Sequence, residues 1–358
     1  MADLTTHLCG MTLTHPIMPG AGPPVRDGVA LLACAEGGAA ALVTKTISSQ
    51  AAAVPTPNMA DLKTHFLNTE LWSELPPEQW LEVEYPTAKS AGLPMITSLG
   101  YTAEDIAWLA PQVAPFADAI ELSTHYIGDD YLPMQEAIRA AKEGANVPVL
   151  VKMSPFREPQ GAAQAAQEAG ADGIVAVNSF GPAFGVDIEH GGRLWMGGKG
   201  YGWISGPALK PIALRMVYDI ARVVDIPVIG VGGITTGADV VEFLMAGARA
   251  VQVCTAAITK GAGIYGKIAA QLDTWLDKHG YASVDDIYGL ALRQPIPEMT
   301  EPPILLPERC TGCNLCVTSC VYGALYLVEK KIRIHEERCE KCGLCLSRCP
   351  VGALQPPA

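Results

Sequence analysis

Eight short β-rich runs separated by Ala/Leu/Glu-rich stretches, a low charge content and a cysteine-dense tail predict an α/β chain. The expected architecture is a (β/α)8 TIM barrel over residues 1–300, followed by a small α+β domain over 301–358. A chain of 358 residues is long enough for one large and one small domain. It is 49% hydrophobic and only 17% charged, as buried parallel strands and close-packed helices require.

The β-rich runs fall at 16–20, 41–45, 94–98, 118–122, 148–152, 173–178, 227–230 and 250–254. Helical stretches separate them, among them 161–169, 208–224 and 237–246. A doubly wound sheet is the alternative, and a count of eight strands disfavours it. The Pro-rich stretch from Gln294-Pro295-Ile296-Pro297 through Pro302-Pro303 to Pro307 reads as a linker. Gly198-Lys199-Gly200-Tyr201-Gly202 follows no clear strand, so it is no dinucleotide fingerprint and reads as a mobile loop.

Of eleven cysteines, eight lie in the last 49 residues. Cys310-x2-Cys313-x2-Cys316-x3-Cys320 is followed by Cys339-x2-Cys342-x2-Cys345-x3-Cys349-Pro350, the two-cluster bacterial ferredoxin spacing. The tail is therefore expected to be a bacterial-ferredoxin-like α+β domain with two [4Fe-4S] clusters. Tight turns at Gly312 and Gly343 let three thiolates of one loop converge on a cubane, and the fourth crosses over. One set is Cys310, Cys313, Cys316 and Cys349; the other is Cys339, Cys342, Cys345 and Cys320. Val321 stands where proline is usual, which leaves every ligand in place. Disulfides would need an oxidising compartment, and zinc sites use paired cysteines with longer gaps. Cys34 falls on a helical pattern and reads as core.

Net charge is −12, but unevenly shared: 309–358 has seven Lys/Arg against four Asp/Glu, or +3, leaving −15 for the remainder. An acidic barrel does not suit a nucleic-acid binder. The basic tail either offsets anionic clusters or is a solvated surface. The start, Met1-Ala2-Asp3-Leu4-Thr5, has no basic or apolar segment, and no apolar run is long enough to cross a bilayer. A cytoplasmic protein without a membrane partner is expected.

In such a barrel, chemistry sits at the carboxyl ends of the strands. There the sequence has Lys45-Thr46, Lys152, Asn178-Ser179, Gly232-Gly233 and Cys254-Thr255. The last two pairs suit a phosphate cradle, because small residues let backbone N–H groups approach an anion. Together these positions predict a flavin-sized anionic ligand.

Three stretches carry a resemblance to a known family: Phe66-Leu67-Asn68-Thr69-Glu70-Leu71-Trp72-Ser73-Glu74, Ser205-Gly206-Pro207-Ala208-Leu209-Lys210-Pro211-Ile212-Ala213-Leu214-Arg215 and Val251-Gln252-Val253-Cys254-Thr255. With the cysteine tail, the chain resembles the dihydroorotate and dihydropyrimidine dehydrogenase family over essentially its whole length, the dihydropyrimidine branch most of all. The resemblance implies FMN in the barrel, held by Gly20, Ala21, Lys45, Thr46, Lys152, Asn178, Ser205, Gly206, Gly232, Gly233, Cys254 and Thr255. Lys152 would lie by the N1/O2 edge of the flavin, where a cation favours the reduced anion. Asn68, Glu70, Asn178 and Ser179 fall where that branch holds a planar pyrimidine by its amide edge.

The resemblance breaks after Glu121-Leu122. Where the family reads Asn-x-Ser-Cys-Pro, this chain has Ser123-Thr124-His125-Tyr126-Ile127, and a shorter loop follows. Ser123 replaces the substrate-holding Asn, and Tyr126 the Cys that exchanges the substrate proton. A phenol with a pKa near ~10 is protonated at neutral pH, hence ready to donate. Tyr126 is thus the expected general acid, as in ene-reductases related to old yellow enzyme, with reduction the working direction. His125 is the alternative donor or tunes Tyr126, and water is the third source.

The expected function is FMN-dependent reduction of a C=C bond beside a carbonyl, first of all in a cyclic amide. Electrons would arrive through the two clusters from a ferredoxin or an FAD-containing, NAD(P)H-oxidising partner subunit. The alternative is an electron-transfer subunit relaying electrons to a partner protein such as a corrinoid protein. By analogy with the family, a homo-oligomer is expected.

Overall fold

The computed structural model describes residues 2–123, 130–155 and 158–357. The chain divides into two compact units, Met1–Arg293 and Gln294–Ala358.

The first unit is built on eight parallel strands: β1 (Ile17–Pro19), β2 (Leu42–Val43), β3 (Met95–Leu99), β4 (Ala119–Leu122), β5 (Val149–Met153), β6 (Gly173–Ala176), β7 (Val228–Val231) and β8 (Ala248–Val253). Their order in the sheet is the chain order, with β8 paired back to β1 through Val251 opposite Ile17. Between β1 and β2 the Ala40 N–H donates to the Ile17 carbonyl at 3.0 Å, so the sheet all but closes. This is the expected TIM barrel. A helix follows each strand: α1 (Gly28–Glu36), α2 (Tyr85–Lys89), α3 (Ala103–Val113), α4 (Leu132–Gly144), α5 (Pro159–Glu168), α6 (Lys210–Ala221), α7 (Gly237–Met245) and α8 (Ile264–His279). Thr102 and Thr236 start α3 and α7 with capping boxes, each accepting from the backbone of the aspartate three residues on.

The two-residue period of the strands sorts their side chains. One parity, with Ile17, Leu42, Ile120, Val151 and Ile174, packs outward on the helices. The other, with Met18, Val43, Ile96, Ala119, Leu150, Val175, Ile229 and Ala250, fills the barrel interior. An N-terminal hairpin, Thr6–Leu8 with Met11–Leu13, adds Leu8, Met11 and Leu13 to that interior cluster. One step further along the inward parity come Glu121, Lys152 and Gln252, all buried. Polar side chains at that level end the apolar packing and begin the mouth.

The mouth carries a four-stranded antiparallel sheet, in spatial order Phe180–Ala183, Gly202–Ser205, Phe66–Asn68 and Met59–Asp61. Its strands come from the segments that follow β2 and β6. The run 198–202 read as a loop feeds into this sheet, with Gly202 its first paired residue. A side chain there would strike the Asn68 carbonyl, 2.4 Å from the Cβ position, so glycine permits the close pairing. Among the described residues, no helix is long and apolar enough to cross a membrane.

In the second unit, a hairpin (Leu325–Val328 with Lys331–Ile334) and a short strand pair (Ile304–Leu305 with Leu354–Gln355) accompany two five-residue helices, Leu315–Ser319 and Leu344–Arg348. Cys310, Cys316, Leu325, Ile332, Ala353 and Leu354 form its small core.

Candidate active site and cysteine cavities

A cavity of about 1000 Å³ opens at the carboxyl ends of the strands. Ala21, Lys45, Thr46, Asn68, Glu70, Ser123, Lys152, Asn178 and Ser179 line it, with Ser205, Gly206, Gly232, Gly233, Cys254 and Thr255. The polar positions picked out at separate strand ends thus meet at one place. Gly20 stands just behind the wall: a Cβ there would lie 3.4 Å from Gln252. His125 and Tyr126 lie outside the described residues.

Two ion pairs organise the walls. Lys45 Nζ sits 2.5 Å from Glu70 Oε2, and Asn58 Nδ2 donates to the other carboxylate oxygen at 2.5 Å. Lys152 Nζ is 3.2 Å from Glu121 Oε1 and donates to Gln252 Oε1 at 3.1 Å, while Gln252 Nε2 donates to Glu121 Oε2. A buried carboxylate is costly unless paired and fully hydrogen-bonded, and here both of its oxygens are occupied.

On another side the wall is bare backbone and hydroxyls. Gly206, Gly232 and Gly233 have φ of +74°, +131° and +75°, conformations that favour glycine. A Cβ on Gly233 would meet the Gly206 carbonyl at 2.9 Å, so these two segments approach closely only because Gly233 carries no side chain. Thr255 Oγ1 donates to Ser205 Oγ at 3.0 Å beside them. Asp239 braces the loop before α7 by accepting from Thr235 and Thr236 and from Lys210 Nζ. Burial raises the Asp239 pKa, but these bonds outweigh it and hold the carboxyl below the usual range. Burial pushes the Cys254 thiol up to about 11, against the opposing fields of Lys152 and Lys45, so the thiol stays protonated.

Sequence reasoning passed over Tyr101, Gln252 and Glu121. Tyr101 lines the cavity, packs edge-on against Trp72 at 5.1 Å, and has its phenol pushed up by burial. Strand parity could have found the other two: counting in twos from the apolar Ala119 and Ala250 arrives at them.

In the second unit the cysteines ring two cavities. Cys310, Cys313, Cys316 and Cys349 line one of about 330 Å³; Cys320, Cys339, Cys342 and Cys345, with Cys316 at the boundary, line one of about 430 Å³. A mononuclear zinc site instead draws four donors to about 2.3 Å of one point. Ala353 N–H donates to Cys349 Sγ at 3.1 Å. Burial raises the pKa of Cys320 and Cys349, yet several backbone N–H groups aimed at each sulfur bring both below the usual thiol value. Burial raises Cys316 and takes Cys345 up to about 11.

The family model described as dihydroorotate dehydrogenase matches residues 3–276. The chain belongs to the dihydroorotate dehydrogenase family. Residues 309–353 match the model described as a 4Fe-4S dicluster domain. Among relatives of this family, the "Dihydroorotate dehydrogenase B (NAD(+)), catalytic subunit" of Pyrococcus abyssi is 35% identical over 303 residues, covering 81% of this chain and 99% of the relative. The protein of the same description from Thermococcus kodakarensis is 34% identical over 305 residues, covering 82% and 99%. That from Pyrococcus horikoshii is 41% identical over 211 residues, covering 56% and 69%. The chain is thus an iron–sulfur flavoprotein oxidoreductase of a family that binds FMN. The cavity fits that group: a side-chain-free wall beside two hydroxyls suits a phosphate, and two lysines face the same space.

Proposed function

We propose that this protein reduces a C=C bond beside a carbonyl in an uncharged, planar cyclic amide, as in the dihydropyrimidine branch of its family. The observation that carries the reading is the Lys45–Glu70 pair in the cavity wall. A dihydroorotate-type substrate brings a carboxylate, which needs a cation free to receive it. Lys45 is neutralised by Glu70, and Lys152 by Glu121, so among the described residues no lining lysine offers an uncompensated charge. Asn68, Asn178, Ser179 and Ser123 offer amides and hydroxyls that match the donors and acceptors of an amide edge.

In this reading Gly20, Ala21, Ser205, Gly206, Gly232, Gly233 and Thr255 hold the phosphate end of FMN. Lys45, Thr46, Lys152, Asn178 and Cys254 hold its ring. Bound FMN supplies the hydride. Tyr126 donates the proton to the neighbouring carbon, with His125 adjusting it or taking its place. The two cysteine sets would hold two [4Fe-4S] clusters, which would supply electrons one at a time. The description of the relatives as catalytic subunits of an NAD(+)-linked enzyme supports an electron-carrying partner for this chain.

The test is anaerobic. The reduced, FMN-loaded protein is mixed with cyclic amides bearing a conjugated C=C and, separately, with their carboxylated analogues, while flavin absorbance is followed. Reoxidation by the neutral compounds and not by the carboxylated ones is expected. Faster reoxidation by the carboxylated set would overturn the reading. No reoxidation by any of them would point to an electron relay to another protein.

A further inference from the structure

The geometry points to Glu121 and Gln252 as positioning residues that fix the Lys152 ammonium and set how much positive charge the ring of a bound flavin meets. The inference rests on the FMN reading above and concerns residues given no role there. Glu121, Lys152 and Gln252 come from β4, β5 and β8, three strands at one level of the barrel. Their relative exposures are 0%, 5% and 1%. They close a ring: Lys152 donates to Glu121 and to Gln252, and Gln252 donates to Glu121.

An ammonium has three N–H donors. Two are used within the ring, which leaves the third for whatever fills the cavity that Lys152 lines. A lysine on a flexible stem loses side-chain entropy when held at a single point. Here the cost is met before any ligand arrives, because the carboxylate and amide define where the nitrogen sits. The carboxylate also offsets part of the lysine's field. Two electrons and one proton added to a bound flavin leave it with one negative charge, which a nearby cation stabilises. Glu121 therefore restrains the flavin potential, and removing its charge raises it.

The experiment is a dye-coupled anaerobic dithionite titration of purified protein, with FMN content and thermal unfolding measured alongside. Glu121→Gln should retain FMN and shift the reduced-to-oxidised ratio at fixed poise at least about tenfold toward reduced, about 30 mV for a two-electron couple. Glu121→Asp keeps the charge and should stay near wild type. Loss of a buried partner can destabilise the fold, so the comparison is repeated in a Lys152→Met background. There no ammonium is left for Glu121 to hold or offset, so Glu121→Gln should move the potential clearly less than it does beside Lys152. A purely structural role would lower the unfolding temperature without moving the potential. An unchanged or lowered potential in Glu121→Gln, or a shift of the same size in both backgrounds, would overturn the inference while leaving the FMN reading intact. A wild-type protein that binds no flavin would overturn both.

Discussion

Lys45 and Lys152 both reach the cavity as half of an ion pair, and the two pairs act differently because their carboxylates stand in different places. Glu70 lines the cavity itself, while Glu121 lies beneath it, wholly buried. In the function proposed above, the first pair bears on which substrate enters, the second on what the lysine does once a ring is bound. The proton is a separate matter, which we propose Tyr126 carries, or His125 in its place. Tyr126→Phe should lower turnover about 10²–10⁴-fold with FMN still bound, the usual worth of a positioned acid. Tyr101→Phe should not, since its buried phenol closes the wall on Trp72. The pH profile separates the donors. A tyrosine keeps its proton to about pH 10, whereas a histidine donor would lose rate above about pH 6.5. Normal turnover in Tyr126→Phe removes that residue from the mechanism. Residue types at strand ends were legible in the sequence because a charged or small residue interrupts an apolar run there. Strand parity points Glu121 and Gln252 into the barrel, but their pairing with Lys152 is not legible until three strands are curled round to face each other.

At the scale of elements, the eight strands and their helices follow from hydrophobic pattern alone, since every strand is buried on both faces. The short antiparallel sheet at the mouth does not. Its strands are three or four residues of mixed polarity, too brief to show a period. The cluster loops show a related limit. Gly312 and Asn314 in the first loop have φ of +70° and +67°; Lys341 and Gly343, at the matching places of the second, have +56° and +75°. The backbones repeat although the glycine has moved by one cysteine. Another element-level consequence concerns α7. Asp239 joins Lys210 to the loop that follows β7, and its pKa is lowered in the folded protein. A carboxylate with a depressed folded pKa contributes stability that is fully present above its unfolded value, near 3.9, and is lost as pH falls through the folded value. Asp239→Asn should therefore cost about 1–2 kcal/mol at neutral pH, and the gap from wild type should narrow below pH ~4. All six tryptophans lie in the first unit, so urea unfolding followed by their fluorescence reports the barrel alone. A gap that is constant from pH 7 to 3 would refute the assignment.

At the scale of the whole molecule, the barrel unit carries a net charge of −12 and the cluster unit none, the +3 excess of residues 309–358 being offset within that unit by Glu298, Glu301 and Glu308. The relatives from Pyrococcus abyssi and Thermococcus kodakarensis are matched over nearly their full length by about four-fifths of this chain, and the 4Fe-4S match lies at its end. A flavin exchanges two electrons while each cluster passes one, so a one-electron donor belongs at the cluster unit. The basic excess of residues 309–358 favours an acidic donor, such as a reduced ferredoxin, and the acidic barrel repels the same donor. Docking of that kind is steered by long-range attraction. The Debye length shrinks from about 30 Å at 0.01 M salt to about 8 Å at 0.15 M. The second-order rate of flavin reduction by an acidic ferredoxin should therefore fall about tenfold or more over that range in stopped-flow mixing. Reduction by a small neutral dye should barely change. Cys345→Ser, which breaks the cluster set of the second cavity, should abolish the ferredoxin-driven rate and its salt dependence together, while the reduced flavin still passes its electrons to substrate. A ferredoxin rate that is indifferent to salt, or that survives this substitution, would mean that electrons enter at the barrel mouth and not through residues 309–358.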